Sequence, residues 1–436
     1  MILNDRKTVH VPLTKEPLLA EKLKSLPGIF HGKLILVGAV IALVWANIDH
    51  HSYHEIVDHS IGDLPDWLGH KHLSMHFLSN ELLMCFFFLV AAAEIREALL
   101  PGGPLAGAKK AALPVVATLG GVAGPALTFV VLAGFVGTDG LSDGWVIPTA
   151  TDIAFSLLIA LAIFPSRVIE GKEVRLAAVT FLLTVAVVDD GIGLVLIPLK
   201  YSGGVDWAGL GICLAVVLGA TYLLKGFGAK SWVTYFVVAG IPSWMVFLHF
   251  GVEPALALVP IVVFMPHAET DLGFFRKEEF ERHDALSELK HWLEPKMDYV
   301  LLVFGFANAG VAVDTFGEPT VVVLVALIVG KVVGITSFAW VGTRAGLQLP
   351  DGMYFRDIPV LGAIAGIGFT VSLFVAGIAF TGELADSAKL GAAISLPVGT
   401  VAAFGLARLL RAGRYSGETE LQEVLDLDSE PRWMKV

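Results

Sequence analysis

Charge is scarce in this sequence. Only 16% of its 436 residues are Asp, Glu, Lys or Arg, while 55% are hydrophobic; soluble domains carry about 25% charged residues. That deficit excludes a water-soluble globular fold, and the mean hydropathy of +0.73 points to a polytopic membrane protein. Cysteine is nearly missing. Cys85 and Cys213 both fall in apolar segments, which argues against a disulfide framework and for packing. No G-x-x-x-x-G-K-[ST] loop occurs, so active transport would have to draw on an ion gradient. The first 30 residues hold no apolar run long enough for a signal peptide, and the first membrane span is expected to start targeting. The net charge of −11 makes no case for a nucleic-acid partner. Part of the excess acid lies in the stretch after Arg414, which reads as a solvated terminus.

What the chain has in abundance is long apolar runs. Windows of about 20 residues give twelve spans. They centre on 34–48, 81–95, 111–136, 145–164, 176–199, 206–224, 232–249, 251–266, 298–313, 320–341, 358–380 and 389–411. The expected organisation is a cytoplasmic segment 1–33, a twelve-helix transporter domain 34–411 and a cytoplasmic acidic tail 412–436. Basic residues test the count, because one missed span inverts every later loop. Of the 30, 26 fall on one face and three on the other, Lys71, Lys200 and Lys389. The remaining one, Lys331, lies inside span 10. The positive-inside rule then puts both termini in the cytoplasm. The loop between spans 1 and 2 faces outward and carries His50, His51, His54, His59, His70, His72 and His76. Their spacing matches no metal-ligand motif, so the loop reads as solvated.

Few ionisable residues sit at membrane depth. They are Asp152 in span 4, adjacent Asp189 and Asp190 in span 5, Glu253 at the start of span 8 and Lys331 in span 10, with Glu81 and Glu94 at the two ends of span 2. One charge at the bilayer centre costs roughly 3 kcal/mol on insertion scales. Two neighbouring aspartates therefore point to a cation or proton route. Helical neighbours lie about 100° apart around the axis, so one acid can line a hydrated cavity while the other turns to a neighbouring helix. Lys331 is the natural partner for the second. Hard cations prefer oxygen ligands, which Asp190, Thr151 and nearby backbone can supply. Desolvation raises a carboxylate's pKa, while a bound cation or a nearby lysine lowers it. Such a group holds a proton or an alkali ion, not both, and exchange follows if the site faces one side at a time. Spans 4 and 11 contain breaking signals, Pro148 before Thr149-Ala150-Thr151-Asp152 and the glycines of GAIAGIGFT. Broken helices expose half-helix ends, whose positive charge Asp152 would offset and whose negative charge Lys331 would offset. A weak echo links AFSLLIALAIF (154–164) with TVSLFVAGIAF (370–380) at an offset of 216 residues. It falls in spans an odd number apart, so the two copies would have opposite topology.

Taken together, the segments WAN (45–47), IPTATDIAF (147–155), VVDDGIG (187–193), FANAGV (306–311), VGKVVGI (329–335), GIGFTVSLF (366–374) and AKLG (388–391) resemble the NhaA family of bacterial Na+/H+ antiporters. The match runs from about residue 33 to 411. The resemblance implies an all-α polytopic fold with an inverted repeat of spans 3–5 and 10–12, spans 4 and 11 being discontinuous and crossed. It implies expulsion of Na+ or Li+ by inward protons across a bacterial inner membrane, with no cofactor, and a homodimer formed through the loop between spans 1 and 2. By carry-over Asp190 binds the cation, Asp189 takes part in proton exchange or pairs with Lys331, and Thr151 and Asp152 flank the site.

The chain also departs from the family pattern. Glu81 replaces an aspartate, Ala98 stands where a second acid follows Glu94, and Glu253 takes the place of the histidine linked to pH response. The link from Asp152 to Asp189 is lengthened through PSRVIEGKEVR. Two other readings were weighed. Pro254-Ala255-Leu256 resembles a motif of intramembrane aspartyl proteases, but the chain has no G-x-G-D, and that chemistry needs its acids on separate helices. A sodium-coupled symporter would need a wide polar cavity, which spans 4, 5 and 11 have few side chains to line.

Overall fold

The computed structural model describes residues 33–68, 71–100, 105, 108–164, 167–169, 172–174, 177–202, 206–229, 231–266, 285–350 and 353–413. Nearly all of the expected segment 1–33 and tail 412–436 lies outside the described residues, as does His70. Within them the architecture is helical. Six helices are long and apolar enough to cross a membrane, or eight if each of two bent pairs counts as one span. The six are Ala111–Val136, Ala177–Tyr201, Trp207–Gly226, Trp232–Phe250, Glu318–Arg344 and Gly382–Leu410. Lys33–Ile48 is a shorter apolar helix, and it packs against Ala285–Asn308.

Three differences from the sequence reading have local causes. The segment 251–266 is not one helix. It holds a short 3-10 turn, Pro254–Leu256, and one helical turn, Val259–Val262, because Pro254 and Pro260 each remove a backbone donor. The ninth helix starts at Ala285, well before residue 298, since its first turns are amphipathic rather than apolar. The last helix starts at Gly382, so Lys389 lies inside it and not in an outward loop. The connections are not wholly without strands. Gly62–Asp63 pairs antiparallel with His72–Leu73, and Arg167–Ile169 with Lys172–Val174 in the long link between Asp152 and Asp189. In the histidine-rich loop His54 Nδ1 meets Asp58 at 2.9 Å and His72 Nδ1 meets Asp63 at 2.6 Å. Among the described residues no group of three or more His, Cys, Asp or Glu is arranged to hold a metal.

The two bent pairs form the centre. Leu141–Thr149 turns by 51° into Ile153–Ile163, and Phe355–Ala365 turns by 49° into Phe369–Ala379. Their second halves have equal length and equal sequence offset, 216 residues. The breaks touch reciprocally. Ser156 Oγ donates to Ile364 O at 3.0 Å, and its counterpart Ser372 Oγ donates to Ile147 O at 2.8 Å. Each hydroxyl thus satisfies a carbonyl that the other helix's break has released. The faint echo in the sequence is therefore a pair of mutual contacts.

A second reciprocal contact joins the helices Ala108–Val136 and Glu318–Arg344. Each presents a G-x-x-x-G face, Gly120 with Gly124 and Gly330 with Gly334. A Cβ on Gly120 would lie 2.2 Å from Gly334 O, one on Gly124 2.4 Å from Gly330 O, and one on Gly334 2.0 Å from Gly120 O. The two backbones touch, as small-residue crossings in membranes do. This contact fixes the helix that carries Lys331. Gly334→Ala must push backbone from backbone, an overpacking cost of about 1–3 kcal/mol or more. Its thermal midpoint in detergent is expected to fall by several degrees. Gly219→Ala, where a Cβ meets nothing within 4 Å, is expected to leave the midpoint unchanged or slightly raised.

Candidate ion-binding site

The site begins with the unravelled peptide between the two halves of the first bent pair, residues 150–152. Thr149, Thr151 and Asp152 are all buried there. Asp152 is the N-cap of Ile153–Ile163 and accepts from Phe155 N at 3.3 Å. The same carboxylate accepts from Thr370 N at 3.1 Å and from the Thr370 hydroxyl, in the first turn of the other half-helix. Its own N–H donates to Ile367 O at 2.7 Å. One acid therefore sits on the positive ends of two half-helices, where a negative charge is most favourable.

Lys331 answers it at the negative ends. The side chain is wholly buried, immediately after a π-helical turn, Ala326–Gly330. An ammonium has three donors, and all three are used: on Thr149 O, on Thr151 Oγ1 at 3.0 Å and on Asp189 Oδ2. The Thr151 hydroxyl accepts from Lys331 and has one proton to give. It lies 2.7 Å from Asp189 Oδ2 and 2.9 Å from Ala365 O, the end of the first half of the second bent pair. Lys331, Thr151 and Asp189 thus tie both helix breaks to the helix Ala177–Tyr201. The Asp189–Lys331 pair is fully withdrawn from solvent.

Asp190 points elsewhere, as the 100° step requires. It is only half-buried, and it makes no hydrogen bond or ion pair with any described residue. The charges within its electrostatic reach are Asp189, Glu94, Lys331 and Asp152, three of them of its own sign. Two carboxylate oxygens, Asp189 Oδ1 and Asp190 Oδ1, are buried without a hydrogen-bond partner. The Thr151 hydroxyl is hydrogen-bonded on the Asp189 side and makes no hydrogen bond to Asp190.

The three remaining acids fall into two groups. Glu81 lies in a π-helical turn, Leu78–Leu83, with Lys71 Nζ 3.6 Å away and the Glu253 carboxyl in its neighbourhood. Glu253 caps the short turn after it, its Oε1 accepting from Ala255 N at 3.4 Å. Glu94 belongs to the other end of the same helix, Met84–Leu99, beside a buried pair in which Lys290 Nζ reaches both oxygens of Glu97 at 2.7 Å. Cys85 is buried and unoxidised. Sequence reasoning missed Thr370, Ser156 and Ser372. Thr370 stands in the quoted GIGFT run, but nothing in the pattern says that its hydroxyl meets Asp152.

The family model described as Na+/H+ antiporter 1 matches residues 28–407. The Na(+)/H(+) antiporter NhaA of Jannaschia sp. is 42% identical over 402 residues, covering 84% of this chain and 93% of that protein. That of Desulfitobacterium hafniense is 41% identical over 380 residues, covering 86% and 93%. That of Geobacter metallireducens is 40% identical over 389 residues, covering 87% and 96%. The site and the fold define a multi-pass secondary transporter rather than an enzyme. The chain belongs to the NhaA family of Na+/H+ antiporters.

Removing one partner of a buried ion pair strands the other charge, at about 3–5 kcal/mol. Asp189→Asn and Lys331→Met are each expected to lower the thermal midpoint in detergent sharply. The double variant, lacking both charges, is expected to recover much of the loss. A double variant as unstable as the sum of the singles would mean the two residues do not act as a pair.

Proposed function

We propose that the protein exchanges intracellular Na+ or Li+ for extracellular protons, by alternating access across a bacterial inner membrane. The observation that carries this reading is Asp190, an intramembrane carboxylate with no hydrogen-bond or ion-pair partner among the described residues, beside a carboxylate that has one. Asp189 is committed to Lys331, so Asp190 is the group whose charge balance is left to a mobile ion. It takes a proton or an alkali cation, and the buried Oδ1 atoms of the two aspartates are the oxygen ligands a hard cation prefers. Asp189 joins proton exchange when its bond to Lys331 loosens. Na+ is the cargo, and no cofactor takes part.

In this reading the twelve spans form an inverted repeat of spans 3–5 and 10–12, with spans 4 and 11 crossing at their breaks. The reciprocal serine bonds and the reciprocal glycine contact support it, since a pseudo-two-fold axis makes such contacts come in pairs. Asp152, Lys331 and Thr151 together hold the four half-helix ends, so the crossing moves as a unit. Both termini face the cytoplasm, as the basic-residue bias favours. The loop between spans 1 and 2, with its exposed two-stranded edge, joins two copies into a homodimer. Glu94, on the inward end of span 2, acts in pH response or gating on that side. Glu81 and Glu253 form the pH-responsive group at the outward end. Two neighbouring carboxylates repel when both are ionised, and a proton on either relieves the repulsion.

In inverted vesicles, Na+ or Li+ is expected to collapse an imposed pH gradient, and Asp190→Asn to abolish the response; retained exchange in that variant would refute the site. Glu253→Gln keeps a hydrogen-bond donor that no pH removes. Its activity profile is expected to flatten on the side where the pair would lose its proton, and an unchanged profile removes Glu253 from regulation.

A further inference from the structure

Lys389 is a charged residue that the proposed exchange does not use. It belongs to the AKLG stretch, and the helix Gly382–Leu410 places it seven residues past its first residue. At 1.5 Å per residue that is roughly 10 Å along the axis. The side chain is partly buried and makes no hydrogen bond or ion pair with any described residue. Asp386 stands one turn earlier on the same helix, yet the amine does not close on it. Asp386 and Asp58 act on Lys389 only through space, and His76 senses it as a like charge. The amine instead lies over Gly377, where a Cβ would stand 3.5 Å from Lys389 Cε and 3.9 Å from Nζ.

Gly377 lies on Phe369–Ala379, the half-helix whose first turn carries Thr370, the partner of Asp152. From Thr370 to Gly377 is seven residues, roughly 10 Å of helix. Lys389 therefore stands two turns from the ion site, displaced toward the end of the bundle that carries Asp58, His76 and the paired strands Gly62–Asp63 and His72–Leu73. An unpaired charge at this depth is costly to keep and marks an ion route more often than a packing role. No described residue forms a hydrogen bond or ion pair with the amine, so its charge is not cancelled by a contact among them.

We propose that Lys389 is a specificity-determining residue: a fixed positive charge on the outward route that hinders an alkali cation from re-entering the site from that face. A cation arriving from the opposite face reaches Asp190 without passing it. The charge weakens cation binding in the outward-facing state and so favours release there, while the ion gradients still set the direction of net exchange. This rests on the exchange reading above, and the test separates the two.

The test compares the KM for Na+ in right-side-out and inverted vesicles for the unaltered protein, Lys389→Met and Lys389→Arg. The expected result is a fall of about five- to ten-fold in KM for Lys389→Met at the outward face alone, the size of effect one charge exerts at this range. The inward-face KM stays unchanged in both variants, which also shows that they fold, and Lys389→Arg keeps the outward value. Equal changes at both faces would mean a packing role, and no change at either would mean an amine that merely reaches the surface; both overturn the proposal. Absence of exchange by the unaltered protein would instead overturn the function beneath it.

Discussion

A single buried ion pair, Asp189 with Lys331, organises the centre of this molecule. Neither charge is tolerable alone at that depth, and together they are satisfied only because Thr149 and Thr151 supply the remaining acceptors. Those acceptors exist because the first bent pair is unravelled at residues 150–152, and the break exists because the backbone there bonds to the other bent pair rather than to itself. Remove the pair and two helix ends, one threonine and the register of the Lys331 helix lose their fixed points. The glycine crossing completes the arrangement. It sets the Lys331 helix against its neighbour at backbone contact, so the amine cannot drift from Asp189.

The same pairing explains why the neighbouring acid is available. Two adjacent carboxylates on one helix cannot share one lysine, because they project about 100° apart. Asp189 faces the breaks and is neutralised there. Asp190 makes no hydrogen bond or ion pair with any described residue. The asymmetry between two chemically identical side chains thus follows from helix geometry, and it is the asymmetry the proposed exchange needs: one acid committed to the scaffold, one left for a mobile ion.

Much of this was legible in the sequence, for physical reasons. Charges at membrane depth are so expensive that Asp152, Asp189, Asp190 and Lys331 announced themselves, and the pairing of one aspartate with Lys331 followed from there being no other intramembrane cation. Pro148 and the glycines of GAIAGIGFT marked both breaks. The 216-residue echo looked close to noise because only the serines and a few packing residues need to match, and their meaning lies in hydrogen bonds that no pattern displays. Which aspartate meets Lys331 was not readable from spacing, since it depends on helix rotation; only the family resemblance pointed to Asp189. The partners of Asp152 were missed because Thr370 is ordinary in sequence and special only through a fold contact. The eighth span was misread because hydropathy does not register that two prolines interrupt it, and Lys389 was taken for a loop residue because polar residues at a helix start look like a connection.

The central claim is that a proton and an alkali cation compete for Asp190. The most direct measurement is the apparent Kd of the purified protein for Li+ or Na+ across a pH series, with proton release followed in the same experiment. Competition for one carboxylate predicts a Kd that is flat at high pH and weakens toward roughly ten-fold per pH unit on the acid side, with protons released as the cation binds. A Kd independent of pH, with no proton released, would contradict the account.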